Sequence, residues 1–243
     1  MISLLQKEIS DFLSSVIGYM VIAVFLCAVG LFTWVFPIDM NVLNSGYANL
    51  DALFMLAPWV FLFLGPAVTM RLFAEEQRNG TIELLMTKPL SDWQIILAKF
   101  FAGWLLMIIA ILPTVIYAIS IYQLGSPKGN LDTGGIIGSY IGLLFLAGAY
   151  VAIGLFASSL SNNQIISFIL SVFLSFIMFI GFDSLSGFVP SGTIERTFLS
   201  LGIQQHYTSM SRGVIDTRDA IYFFSLISLF LLFTKTKLES RKW

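Results

Sequence analysis

From residue 16 to residue 36 the chain runs 21 residues without a charged side chain, and five further stretches nearly as apolar follow. A helix needs about 20 apolar residues, rising 1.5 Å each, to cross roughly 30 Å of hydrocarbon. The stretches at 52–74, 95–122, 136–156 and 165–182 come close to or exceed that length, whereas the one at 220–233 has only 14 residues. At about 21 Å it must recruit flanking residues, thin the bilayer or meet a re-entrant partner. Only 11% of the residues are charged, against about 25% in soluble domains, so a water-facing surface could not be covered. The fold class expected is an all-α integral membrane protein with six transmembrane helices, built as one transmembrane domain over residues 1–243.

Orientation follows from the Lys and Arg residues near the span ends. With the N-terminus cytoplasmic, nine fall inside: Lys7, Arg71, Arg78, Lys88, Lys99, Lys235, Lys237, Arg241 and Lys242. Four fall outside: Lys128, Arg196, Arg212 and Arg218. Both termini are therefore expected in the cytoplasm. Residues 1–12 do not read as a cleaved signal, because Glu8 and Asp11 accompany Lys7. Ile2, Leu5, Ile9, Phe12 and Val16 instead recur at helical spacing, which predicts an interfacial amphipathic helix before the first span. The outer segment 183–219 is read as partly re-entrant rather than as a plain loop. Irregular backbone at that depth is tolerable only where protein or a cavity shelters it.

Several chemistries lack the residues they need. No span carries a charge near its middle, since Asp51, Asp183 and Asp219 all sit at span ends. Ion-coupled carriers and proton relays use intramembrane ionisable groups. No G-x-x-x-x-G-K-[ST] cradle, H-E-x-x-H or G-x-S-x-G occurs. The net charge of -1 leaves no basic stripe for nucleic acid. Cys27 is the single cysteine and reads as a small core side chain; His206, the single histidine, reads as an interfacial polar residue. No catalytic residue, cofactor or metal is expected in this chain. Gly138 and Gly142 form a G-x-x-x-G that permits close helix contact, within the subunit or with another.

Residues 71–99, between the second and third spans, hold eight of the chain's 27 charges. Gly80 can end the helix that continues the second span, because it accepts a left-handed backbone. Thr81 can cap a short helix over 82–86, which Pro89 ends, and Ser91 with Gln94 forms a capping box for the third span. The short helix would then lie across two spans. Its acids Glu75, Glu76 and Glu83 and its apolar Ile82, Leu84 and Leu85 suit docking into a partner's cleft.

The stretch Glu75, Glu76, Gly80, Thr81, Glu83, Leu84, Leu85, Pro89 resembles the "EE…G-T-x-E-L-L…P" segment of type-2 ABC exporter permeases. "SRGVIDTRDAIYF", residues 211–223, resembles that family's approach to its last span. "LAPWVFLFLGPAVTMRLFAEE", "LLMTKPLSDWQIILAKF" and "GSYIGLLFLAGAYVAIGLF" are similar, more narrowly, to the gliding-motility-associated ABC permease subunit. The resemblance implies six spans, an N-terminal interfacial helix, a re-entrant segment before the sixth span and a cytoplasmic coupling helix at the short 82–86 segment. It further implies an ABC ATPase partner carrying ATP and Mg, a second permease subunit (homo- or heterodimer) or further membrane component, and residence in a bacterial inner membrane.

The function expected is that of a permease whose transport is driven by ATP hydrolysis on the partner. The rival from another class is a membrane scaffold that anchors an ATPase or motility machinery and transports nothing.

Overall fold

The computed structural model describes residues 1–38, 40–86, 90–188, 192–213 and 216–240, and among these there are helices and turns but no strand. α1 (Ile2–Leu13) precedes α2 (Val16–Gly30), which widens into a π-helical end at Leu31–Val35. α3 (Asp51–Thr69) leads into two short helices, α4 (Ala74–Arg78) and α5 (Thr81–Met86). α6 (Asp92–Ile111) and α7 (Val115–Leu124) make up the third crossing, α8 (Thr133–Leu160) the fourth and α9 (Gln164–Phe176), with a π-turn at Ile177–Gly181, the fifth. α10 (Phe182–Ser186), α11 (Thr193–Leu201) and α12 (Ile203–Ser211) then lead to α13 (Thr217–Glu239). Among the described residues, six helical stretches are long and apolar enough to cross a membrane: Val16–Val35, Asp51–Arg78, Asp92–Leu124, Thr133–Leu160, Gln164–Ser186 and Thr217–Glu239.

The sixth crossing resolves the shortfall at 220–233. α13 has 23 residues, about 34 Å of helix. It recruits polar flanks and buries Asp219 at one end and Thr234 at the other, while the Asp216 side chain caps it by accepting from the Arg218 amide at 2.9 Å. No thinning or re-entrant partner is needed for its length.

α8 is the hub. It is buried along most of its length and packs against α3, α6, α9, α12 and α13. The small residues explain how. A Cβ on Gly138 would stand 2.5 Å from the Met210 carbonyl oxygen and 2.9 Å from Gly213 Cα, and one on Gly142 would meet Tyr207. The G-x-x-x-G contact is thus made inside the subunit, by α12. That helix buries Ile203, Tyr207 and Met210, and the Tyr207 hydroxyl donates to the Phe54 carbonyl at 2.7 Å, about one turn inside α3. Burial pushes the Tyr207 phenol above its ordinary value, so it stays a donor. The segment before the last span is therefore helical and folds back against the ends of α3 and α8, while α11 buries no residue.

α1 departs in detail from its predicted stripe. It buries Leu4 and Phe12, leaves Ile2 exposed and ends at Leu13. Ser15 begins the next helix by accepting from the Gly18 amide at 3.2 Å, so Val16 belongs to α2 and is exposed. Pro58 and Pro66 lie inside α3 without ending it, whereas Pro113 sits in a 3-10 turn, Leu112–Thr114, that divides α6 from α7. Lys235 near the end of α13 lies 5.4 Å from the Trp93 ring at the start of α6, on which α1 also packs. Both ends of the described chain thus meet on one face of the bundle, as an even number of crossings requires.

Candidate functional site

On that face the chain leaves the second crossing. α3 ends at Thr69 because the next turn takes its hydrogen bonds from another helix. The Phe73 and Ala74 amides donate to Ser158 Oγ on α8, at 3.0 and 3.1 Å, and that hydroxyl donates to the Met70 carbonyl at 3.0 Å. One serine therefore satisfies three backbone groups that an unbroken helix would pair internally. Gln77 on α4 donates to the Ser159 carbonyl at 3.0 Å. Gly80, at φ +69°, turns the chain in the left-handed region with open space around it, as its predicted role requires.

The site residues named from sequence divide into two groups. Glu75 and Glu83 are exposed, with Gly80 and Thr81 between them at the surface. Glu76 is not an exposed acid: its side chain is 14% exposed and turned inward. Neighbouring residues on a helix point about 100° apart, so only one of the Glu75–Glu76 pair can face water here. Ile82 and Leu85 are buried in the protein's own core rather than offered to a partner. Thr81 opens α5 from inside its first turn instead of standing before it, its hydroxyl reaching the Glu76 carbonyl at 3.4 Å. Pro89 and the side chain of Leu84 lie outside the described residues, as do Lys88, Arg241 and Lys242. The capping box is formed: Ser91 Oγ accepts from the Gln94 amide at 3.3 Å, and Gln94 Oε1 from the Ser91 amide at 3.1 Å.

Glu76 turns inward to meet Lys99. Lys99 is fully buried in α6, and its ammonium donates to Glu76 Oε1 at 2.8 Å, Glu8 Oε1 at 2.8 Å and the Leu72 carbonyl at 2.7 Å. All three N–H bonds of the ammonium are used. Its charge also lies 5.2 Å from the Phe73 ring. Arg71 makes a second tie, with its guanidinium 4.7 Å above Phe12 on α1 and 3.4 Å from Ser15 Oγ. A cleft of about 400 Å³ opens between α1 and α4, with Lys7, Asp11, Arg71 and Glu75 among its lining residues. The short helices are thus bound through Lys99 and Arg71 to α1 and α6, and through Ser158 to α8.

Residues 3–234 match the family described as ABC-2 family transporter protein. The chain belongs to that family. No curated protein matches it. Membership identifies a membrane permease subunit of an ABC transporter that is not itself the ATPase. In this ABC-2 protein the buried ion cluster was the residue set that sequence reasoning missed, with Lys99 placed at the aqueous end of a span. A signal existed: Lys99 falls on one helical face with Ile95, Ala102 and Leu106, all apolar or small and all buried. A lysine in that row must find acids, and Glu76 is the nearer in sequence.

Proposed function

We propose that this chain couples ATP hydrolysis on a cytoplasmic ABC ATPase to movement of a substrate across a bacterial inner membrane, with α4 and α5 as the element on which the ATPase docks. The observation that carries the reading is the division of labour among the acids. Glu75 and Glu83 face outward at a surface turn, while Glu76, one residue from Glu75, grips Lys99 inside. Contact made outside is thereby transferred to the helices that span the bundle. ATP and Mg belong to the partner, and a second permease subunit completes the pore. The face bearing both chain ends is cytoplasmic in this reading, in keeping with its excess of Lys and Arg.

Reversing Glu75 and Glu83 together to lysine is expected to cut recovery of the ATPase with the purified chain about tenfold, the scale of two lost charge contacts. Helix content and melting should stay unchanged, because both side chains are exposed. Undiminished copurification would remove the docking assignment. Glu76 is excluded from that variant because its loss would disturb the Lys99 cluster instead.

The span sequences further lead us to place the complex in gliding motility. Deleting the gene should abolish surface gliding while growth in liquid persists; unimpaired gliding would refute that placement and leave the permease reading standing.

A further inference from the structure

At the end of the bundle opposite α4 and α5, the chain's single histidine closes a corner between three helices. His206 on α12 directs Nδ1 to Asp219 Oδ1 of α13 at 2.7 Å and Nε2 to the Ser200 carbonyl of α11 at 3.0 Å. Its ring stacks on Tyr222 of α13 with centroids 3.9 Å apart, and the Tyr222 hydroxyl donates to the Leu201 carbonyl at 2.7 Å. The ring is thereby fixed in orientation, with an oxygen acceptor at each nitrogen.

A neutral imidazole has one N–H and cannot donate to both. In either tautomer one nitrogen lone pair would face an oxygen lone pair. One added proton removes the conflict, whether drawn on the imidazole, which then donates both ways, or on Asp219, which then donates to Nδ1. Asp219 is 6% exposed, and its second oxygen, Oδ2, is buried without a hydrogen-bond partner. Among the described residues His206 is the only basic group within ion-pair distance of it. Among the described residues, the other groups seen to meet α12 are the Tyr222 ring from α13, the Ser200 carbonyl from α11, Gly138, Ser139 and Gly142 from α8 and the Phe54 carbonyl from α3, none of them charged. The π-turn Ile177–Gly181 that also packs on α12 contains no titratable residue.

We propose that His206 and Asp219 form a proton-binding site that locks the α11–α12 hairpin onto the last span, so that loss of the proton releases one of two contacts and loosens the hairpin. The seating of this hairpin on α8 and α13 then responds to the proton concentration on the face opposite the coupling helix. That response is independent of whether the ATPase docks at Glu75 and Glu83.

The lone histidine makes the site directly readable. The full chain, labelled with ¹⁵N only in histidine and held in lipid nanodiscs, is titrated upward from about pH 5. Hydrogen-exchange protection of residues 203–211, corrected for the intrinsic rate, is followed in parallel. Protection should fall at least about tenfold across the interval in which the histidine signal changes, the scale of one charge-assisted hydrogen bond. The step should vanish in His206→Gln. It should vanish equally in Asp219→Asn, whose amide can donate to a neutral imidazole and so preserve the fold. Constant protection through the histidine transition, or a step that persists in either variant, would overturn the proposal.

Discussion

Replacing Lys99 by methionine is expected to destabilise the protein by about 3–5 kcal/mol, the range found when one member of a buried ion pair is removed. The size follows from what is left behind. Glu8 and Glu76 are 11% and 14% exposed, so two carboxylates would face each other with only the exposed Lys7 ammonium, 3.9 Å from Glu8, left beside them, and the Leu72 carbonyl would lose its donor. Thermal unfolding of the purified chain measures the loss. The companion variant separates charge from shape: Lys99→Met combined with Glu8→Gln and Glu76→Gln should recover most of the stability, since no uncompensated charge remains. Recovery of folding without recovery of coupled ATPase activity would show that the cluster transmits force as well as holding the helices. A single Lys99→Met protein as stable as the wild type would mean that the cluster is not closed as described.

Gly138→Leu should be the second severe lesion, at about 3 kcal/mol or more, the upper end of overpacking costs. Here the obstruction is backbone. The Met210 carbonyl oxygen and Gly213 Cα stand 2.5 and 2.9 Å from where the first side-chain carbon would go, and neither can rotate away. α12 must therefore leave α8, and Tyr207 must give up the Phe54 carbonyl. Cysteine-free protein with a reporter thiol at Gln204 should show faster labelling in the variant. Equal labelling rates and equal melting would show that α12 is not seated on Gly138. A leucine at Gly46, also glycine but with nothing within 4 Å, tests the strain of its positive φ without any clash and should cost far less.

The spans were legible because their signal is local: a run of apolar residues of membrane length needs no knowledge of its neighbours. The capping box at Ser91 and Gln94 and the turn at Gly80 were legible for the same reason, since each depends on residues a few positions apart. α13 was underestimated because its ends are polar, and Asp219 and Thr234 look like solvent-facing residues until a partner covers them. The acids of the short segment were read alike because helical phase alone does not say which face is inward. That choice was made by Lys99, 23 residues from Glu76, and by Glu8, 91 residues from Lys99.

The sequence by itself determined that this is a six-crossing membrane protein with a polar elbow after the second crossing, because hydropathy and caps are properties of short windows. Only the tertiary structure decided which of the elbow's acids stay exposed and which forms an internal tie, that the glycine pair of α8 is covered by α12, and that the single histidine stands between two acceptors. Those outcomes depend on which distant side chains converge in a low-dielectric interior, where an ammonium or a proton must be matched by oxygen atoms supplied from other helices.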